Sequence, residues 1–311
     1  MVYKSLASIL ARQYNEVRVN HMADNRYIKE KFIIFLGVVG VSFSGIFAKL
    51  FHAPSMYIAF LRLLILVVVM AVPFARVWSR EKSLLTPKTL VCCAVSGLML
   101  TLHFASFFEA VRLASVASGS LLINTSVFFV PMITIPFLGE RPSAKAWFGM
   151  ILTFIGSAVV AMADSGGGSN VLLGDALAVF CALCMAVYVI MGRVCRRTMS
   201  TTFYTTIVYF FAALAALIIV LMQGIPLTGY EPVDYACAFG LAIVSTLFGH
   251  SVFSWGLKYV SAAYIATIKL AEPVVAAILA LIIFREMPGA LTILGGAVII
   301  IGVAWTAKYT E

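Results

Sequence analysis

Charge is scarce in this sequence. Acidic and basic residues make up only 11% of its 311 positions, while 62% are hydrophobic and mean hydropathy is +1.04. A water-soluble domain carries about 25% charged residues. A soluble fold could not hide this much apolar surface, so lipid must be the solvent for most of the chain. Signatures of chemistry are missing as well. There is no G-x-x-x-x-G-K-[ST] loop to cradle nucleotide phosphates, which excludes ATP hydrolysis on this chain. Neither H-E-x-x-H nor G-x-S-x-G occurs, and no polar segment is long enough to house a catalytic domain. The expectation is therefore a protein that is not an enzyme and needs no cofactor or metal.

Two further absences narrow the reading. The first thirty residues are polar and charged and lack the apolar core of a cleavable signal peptide. Met22 opens a second start (MADNRYIKEK), so residues 1–21 read as a tail or an upstream start. The net charge of +9 does not point to nucleic acid, because the cations sit between apolar runs rather than on one polar face. Six cysteines (Cys92, Cys93, Cys181, Cys184, Cys195, Cys237) fall in or beside apolar segments. Cys181 and Cys184 form a C-x-x-C within one such run, and read as packing residues rather than a redox or metal pair.

What is present is a series of apolar runs long enough to cross a bilayer, about 20 residues each. Ten are expected: 32–51, 56–78, 87–111, 114–138, 142–163, 171–194, 201–222, 233–257, 260–284 and 288–309. Turn chemistry separates them, as in HAPS at 52–55, DSGGGSN at 164–170 and QGIPLTGYEP at 223–232. With residues 1–31 as a cytoplasmic tail, the outer loops keep only Arg112 and Arg285 of 22 cations, and Lys49, Arg62 and Lys269 fall inside spans. This asymmetry predicts both termini in the cytoplasm, in a multi-pass protein of the inner, cytoplasmic membrane.

The chain also repeats itself. EAVRLASVASG (109–119) and WGLKYVSAAYI (255–265) share one plan at an offset of 146 residues, with Arg112/Lys258, Ser115/Ser261 and Ala117/Ala263 in register. At the same offset, LGERPSAKAWFGMILTFIGSAVVAM (138–162) matches FREMPGALTILGGAVIIIGVAWTAK (284–308), and no gap is needed from 110 to 162. Identities include Glu140/Glu286, Pro142/Pro288, Gly149/Gly295 and Gly156/Gly302. Each copy holds five spans, over 32–163 and 171–309. Five is odd, so the second copy enters the membrane from the opposite side. The expected fold is an all-α integral membrane protein of ten transmembrane helices in two inverted five-helix repeats, a plan many secondary transporters use.

Ten spans, two five-helix halves, the glutamate–proline link before a glycine-bearing helix and the arginine of PSMYIAFLRLLI resemble the drug/metabolite transporter superfamily, and within it the EamA-like branch. The resemblance covers about 32–309. It implies a carrier, mostly an exporter of amino acids, related metabolites or toxic compounds. It also implies a central cavity lined by spans 1, 3, 4, 6, 8 and 9, with 5 and 10 peripheral. Arg62 departs from the internal symmetry, since Val208 or Tyr209 stands at its place in span seven.

An ionisable group inside a span costs about 2.5–3.5 kcal/mol or more, so each needs a partner or a task. Arg62 is either a structural ion pair or carbonyl clamp, or a fork of donors for a substrate carboxylate. Lys269 and Glu272, in TIKLAEPVV, lie three apart on one helix face, where they can neutralise each other. Pro273 disrupts the preceding turn, which makes this either an interrupted-helix site or a self-satisfied pair that packs helices. His103 and His250 can bind solute, carry protons or bridge helices. Asn124 and Ser120 are candidate cavity polars, and Phe104, Phe107, Tyr188, Phe253 and Trp255 candidate stacking partners. The substrate-binding set is thus Lys269, Glu272, Arg62, His103, Asn124, His250, Tyr188 and Trp255. Glu140 and Glu286 read as helix-end carboxylates. The Gly149/Gly156 and Gly295/Gly302 stripes join the halves or make a homodimer contact, the first being preferred.

The function expected is secondary transport of a small organic solute, an amino acid or related metabolite, outward by alternating access. The alternatives are a lipid-linked sugar flippase or a multidrug exporter.

Overall fold

A computed structural model describes residues 27–48, 50–113, 122–162, 170–285 and 287–309. The N-terminal tail to residue 26, the first twin connection over 114–119, Ser120, the 164–169 loop and Glu286 lie outside the described residues. Within them all regular structure is helical: α1 (Tyr27–Ala48), α2 (Ser55–Glu81), α3 (Pro87–Leu113), α4 (Ser126–Leu138), α5 (Ala144–Met162), α6 (Val171–Cys195), α7 (Thr201–Met222), α8 (Pro232–Gly256), α9a (Ala262–Lys269), α9b (Glu272–Phe284) and α10 (Ala290–Tyr309). Nine stretches of the described residues are long and apolar enough to cross a membrane, α9a and α9b counting as one, and α4 adds a shorter apolar helix. This is the ten-span plan, with span four represented by its second half.

Helix starts follow polar caps. Asn170, Ser200 and Ser261 accept backbone N–H bonds from Leu173 (3.3 Å), Phe203 (3.2 Å) and Tyr264 (3.1 Å), satisfying donors that the first turn leaves open. Ser261 is the serine shared by the twin connections, and its cap is the physical reason for it in the second copy. Pro142 and Pro288, expected at helix starts, stay outside α5 and α10. In α5, Ser143 caps instead, through Ala146 N at 3.1 Å. Helix ends also obey the repeat: Gly139 (φ 69°) closes α4, and Arg285 (φ 58°), at the matching position, closes α9b. Only the first copy has glycine there, where the left-handed backbone favours it.

Packing reveals the symmetry. α3 lies on α6, and the equivalent pair α1 lies on α8; α2 and α7 pack across the seam. α5 and α10 cross nearly backbone to backbone. A Cβ on Gly149 would come within 3.0 Å of the Gly302 carbonyl oxygen, and one on Gly295 within 2.7 Å of the Gly156 oxygen. These two contacts exchange under the 146-residue offset, as a two-fold axis in the membrane plane requires. The small-residue stripes therefore join the two halves of one chain.

One span departs from α geometry. Residues Leu241–His250 of α8 wind at the wider i→i+5 pitch, with Ser251 N donating to Thr246 O. Such wide turns cluster at functional sites.

Gly302→Val should disrupt the α5–α10 crossing, because the added Cβ would stand 2.6 Å from Thr153 N. We expect a loss of about 1–3 kcal/mol, read as a lower unfolding temperature in detergent. Gly289→Val, with nothing within 4 Å of its Cβ, should be close to neutral.

Candidate functional site

Spans four and nine break at matching places. In span nine, Leu270 N bonds Thr267 O and Ala271 N bonds Ile268 O, both at 3.0 Å, before α9b starts at Glu272. In span four, Thr125 N bonds Leu122 O at 3.1 Å before α4 starts at Ser126. Both turns tighten to i→i+3, and residues 124–125 and 270–271 are equivalent under the offset. Pro273 removes a backbone donor in one copy; the other breaks without a proline in that place. The starts of both 13-residue half-helices face the same space.

That space is a cavity of ≈ 200 Å³ at the seam. Its walls come from spans 1, 2, 3, 4, 6, 8 and 9, with none from 5, 7 or 10. Arg62, His103, Asn124, His250, Lys269 and Glu272 all line it. Phe104 and His250, at equivalent positions, meet edge to face at 5.8 Å, and so mark the two-fold axis inside the cavity.

Arg62 is 3% exposed, and its Nε and Nη2 have no hydrogen-bond partner. Its guanidinium lies 3.9 Å from the Phe104 ring centroid, a cation–π contact that offsets part of the burial cost. Among the described residues, neither the ion pair nor the carbonyl clamp is formed at these two nitrogens. Lys269 and Glu272 do not pair within 4.0 Å, contrary to what helical spacing allows. The helix breaks between them, and Lys269 Nζ turns to Met185 Sδ at 3.2 Å and the Phe253 ring at 5.7 Å. His103 Nδ1 is tied to the Cys181 carbonyl oxygen (3.2 Å) and thiol (3.0 Å). Asn124 Nδ2 donates to Ser157 Oγ at 2.7 Å, fixing the break in span four to α5.

Two sequence candidates stand elsewhere. Tyr188 is buried behind His250 with its hydroxyl 3.1 Å from Ser254 Oγ, and does not reach the cavity wall. Trp255 packs on Tyr259 at 4.6 Å. It follows His250 by five residues, about 140° around a helix, and so faces away. Residues that sequence reasoning passed over are Ser44, Gly45 and Phe51 at one end of span 1, and Met185 in span 6. No ionisable group flags them.

The two faces of the bundle differ. On the face holding the ends of spans 2, 4, 6 and 8, Arg193 Nε meets Glu140 Oε1 at 2.8 Å and Arg197 stands 3.8 Å from the same oxygen. Arg193 Nη1 also donates to the Leu257 carbonyl, and Arg196 to those of Ser254 and Met199. Glu140 is thus not a helix-end carboxylate. It ties the 4–5 link of the first half to the end of span six in the second. On the opposite face Asp234 Oδ1 accepts the N–H groups of His52 (2.7 Å) and Ala53 (3.0 Å), holding the 1–2 link to the start of α8. The cavity extends from mid-depth toward this second face, as Phe51 in its wall shows.

Two five-span halves around a cavity with charged side chains at their seam are an architecture of membrane transport proteins. The sequence pattern of the EamA-like transporter family matches residues 29–162 and again 172–307; the chain belongs to that family. It is similar to two uncharacterized transporters of Archaeoglobus fulgidus. One is 28% identical over 219 residues, covering 68% of this chain and 73% of the relative. The other is 24% identical over 221 residues, covering 70% and 76%. A solved crystal structure superposes with a TM-score of 0.73 at 20% identity, covering 90% of this chain and 96% of that one; this likeness concerns the fold.

Glu140→Gln should leave Arg193 without its charge partner and loosen the seal. Losing one partner of a well-buried pair costs about 3–5 kcal/mol; with Arg193 side chain 15% exposed, the lower end is expected. A thiol placed at Ser254 should then react faster with a reagent applied from the Arg193 face.

Proposed function

We propose that this chain is a secondary carrier that moves a small organic solute, an amino acid or related metabolite, across the cytoplasmic membrane by alternating access. The observation that carries this is the cavity at the seam of two inverted halves, which holds Arg62, Lys269 and Glu272 among apolar side chains, with an ionic seal between those halves on one face. Halves of opposite orientation have similar energies when they exchange roles, so rocking about the seam exposes one site to either side in turn. With both termini inside, as the cation asymmetry favours, the seal faces the cytoplasm and the cavity leans outward. That is the state in which an exporter releases its load. A flippase for lipid-linked sugars would call for a lateral, basic groove. Here the wall is drawn from seven spans, and its two cations stand beside a carboxylate.

Purified protein in proteoliposomes should exchange a labelled metabolite against the same unlabelled metabolite inside, without ATP or an ion gradient. Exchange should fall at least tenfold in Lys269→Ala. Flipping of a labelled lipid with no exchange of any soluble metabolite would overturn the reading.

A further inference from the structure

Arg62 is the feature that carriage alone leaves unexplained. It is buried, charged and, along its Nε–Nη2 edge, without an acceptor. A buried charge without a partner destabilises a protein unless something binds it. That edge of a guanidinium presents two parallel N–H donors, the spacing of which matches the two oxygens of a carboxylate. The Phe104 ring covers the face of the guanidinium and leaves the edge as the part that can bond.

The rest of the wall sets the sign of the cargo. Among the described lining side chains Arg62 and Lys269 are cations and Glu272 is the single carboxylate. The two imidazoles, His103 and His250, can only add positive charge, and protonating Glu272 would do the same. An empty site with one surplus cation becomes neutral when the solute brings one net negative charge.

We infer that the cargo is a small carboxylate of net charge −1, its carboxylate gripped side-on by Arg62 Nε and Nη2. This rests on the carrier reading and narrows it. A carboxylic acid without an amine and an acidic amino acid both satisfy the chemistry. In the second, an ammonium group would meet Glu272 and the other carboxylate Lys269. A neutral amino acid or a cation would leave the surplus charge in place.

The test uses the full-length protein with L-lactate, L-glutamate, L-glutamine and L-lysine as probes, measured by thermal shift in detergent and by counterflow in proteoliposomes. Lactate, glutamate or both should stabilise and exchange, whereas glutamine and lysine should not. Arg62→Gln should weaken that binding about tenfold or more, with Arg62→Lys in between. Without solute, Arg62→Gln should unfold at the same or a higher temperature than the parent, because it removes an unpartnered charge. A structural arginine would give the opposite shift. Exchange of glutamine or lysine in preference, or unchanged affinity in Arg62→Gln, overturns the inference while leaving the carrier intact. Absence of exchange by every probe overturns the inference, and the carrier reading falls with it only if no other soluble metabolite exchanges and a labelled lipid is flipped instead.

Discussion

A charge in hydrocarbon must find a partner or stay wet, and the interior of this protein is arranged around that constraint. Lys269 rests on a methionine sulfur and an aromatic ring, Arg62 on the face of Phe104, and Glu272 at the cavity wall. None of these is a saturated ion pair. By contrast, Glu140, which does no more than hold two links together, is saturated on Oε1 by Arg193 and approached by Arg197. The acceptorless edge of Arg62 lies at the cavity, while Glu140 is held through Oε1 and keeps Oε2 buried without a partner.

Much of the fold was readable in the residues because lipid enforces it. Apolar runs and an ungapped repeat leave little choice of architecture. What was not readable shares one cause: it depended on partners far along the chain. The motif shared by Glu140 and Glu286 suggested a local role, yet the partner of Glu140 lies 53 residues away at Arg193. Spacing put Lys269 and Glu272 on one face, but the backbone turns between them. Trp255 was placed by composition and is displaced by helical phase. The cavity wall contributed by Ser44, Gly45 and Met185 carries no charge to announce it.

The two breaks show how a duplicated unit diverges without losing its shape. Asn124–Thr125 and Leu270–Ala271 tighten alike, although only the second copy has proline two residues on. In the first, Asn124 anchors the turn to Ser157 instead. Backbone geometry is retained while the chemistry that enforces it is replaced, so one copy is free to hold the ionisable pair and the other a neutral amide.

The α5–α10 crossing has a mechanical consequence. Its paired contacts, Gly149 on Gly302 and Gly295 on Gly156, map onto each other when the halves trade places. If the halves swing as proposed above, these contacts recur in both poses and add nothing to the energy difference between them, so the choice of resting pose is left to contacts off the axis.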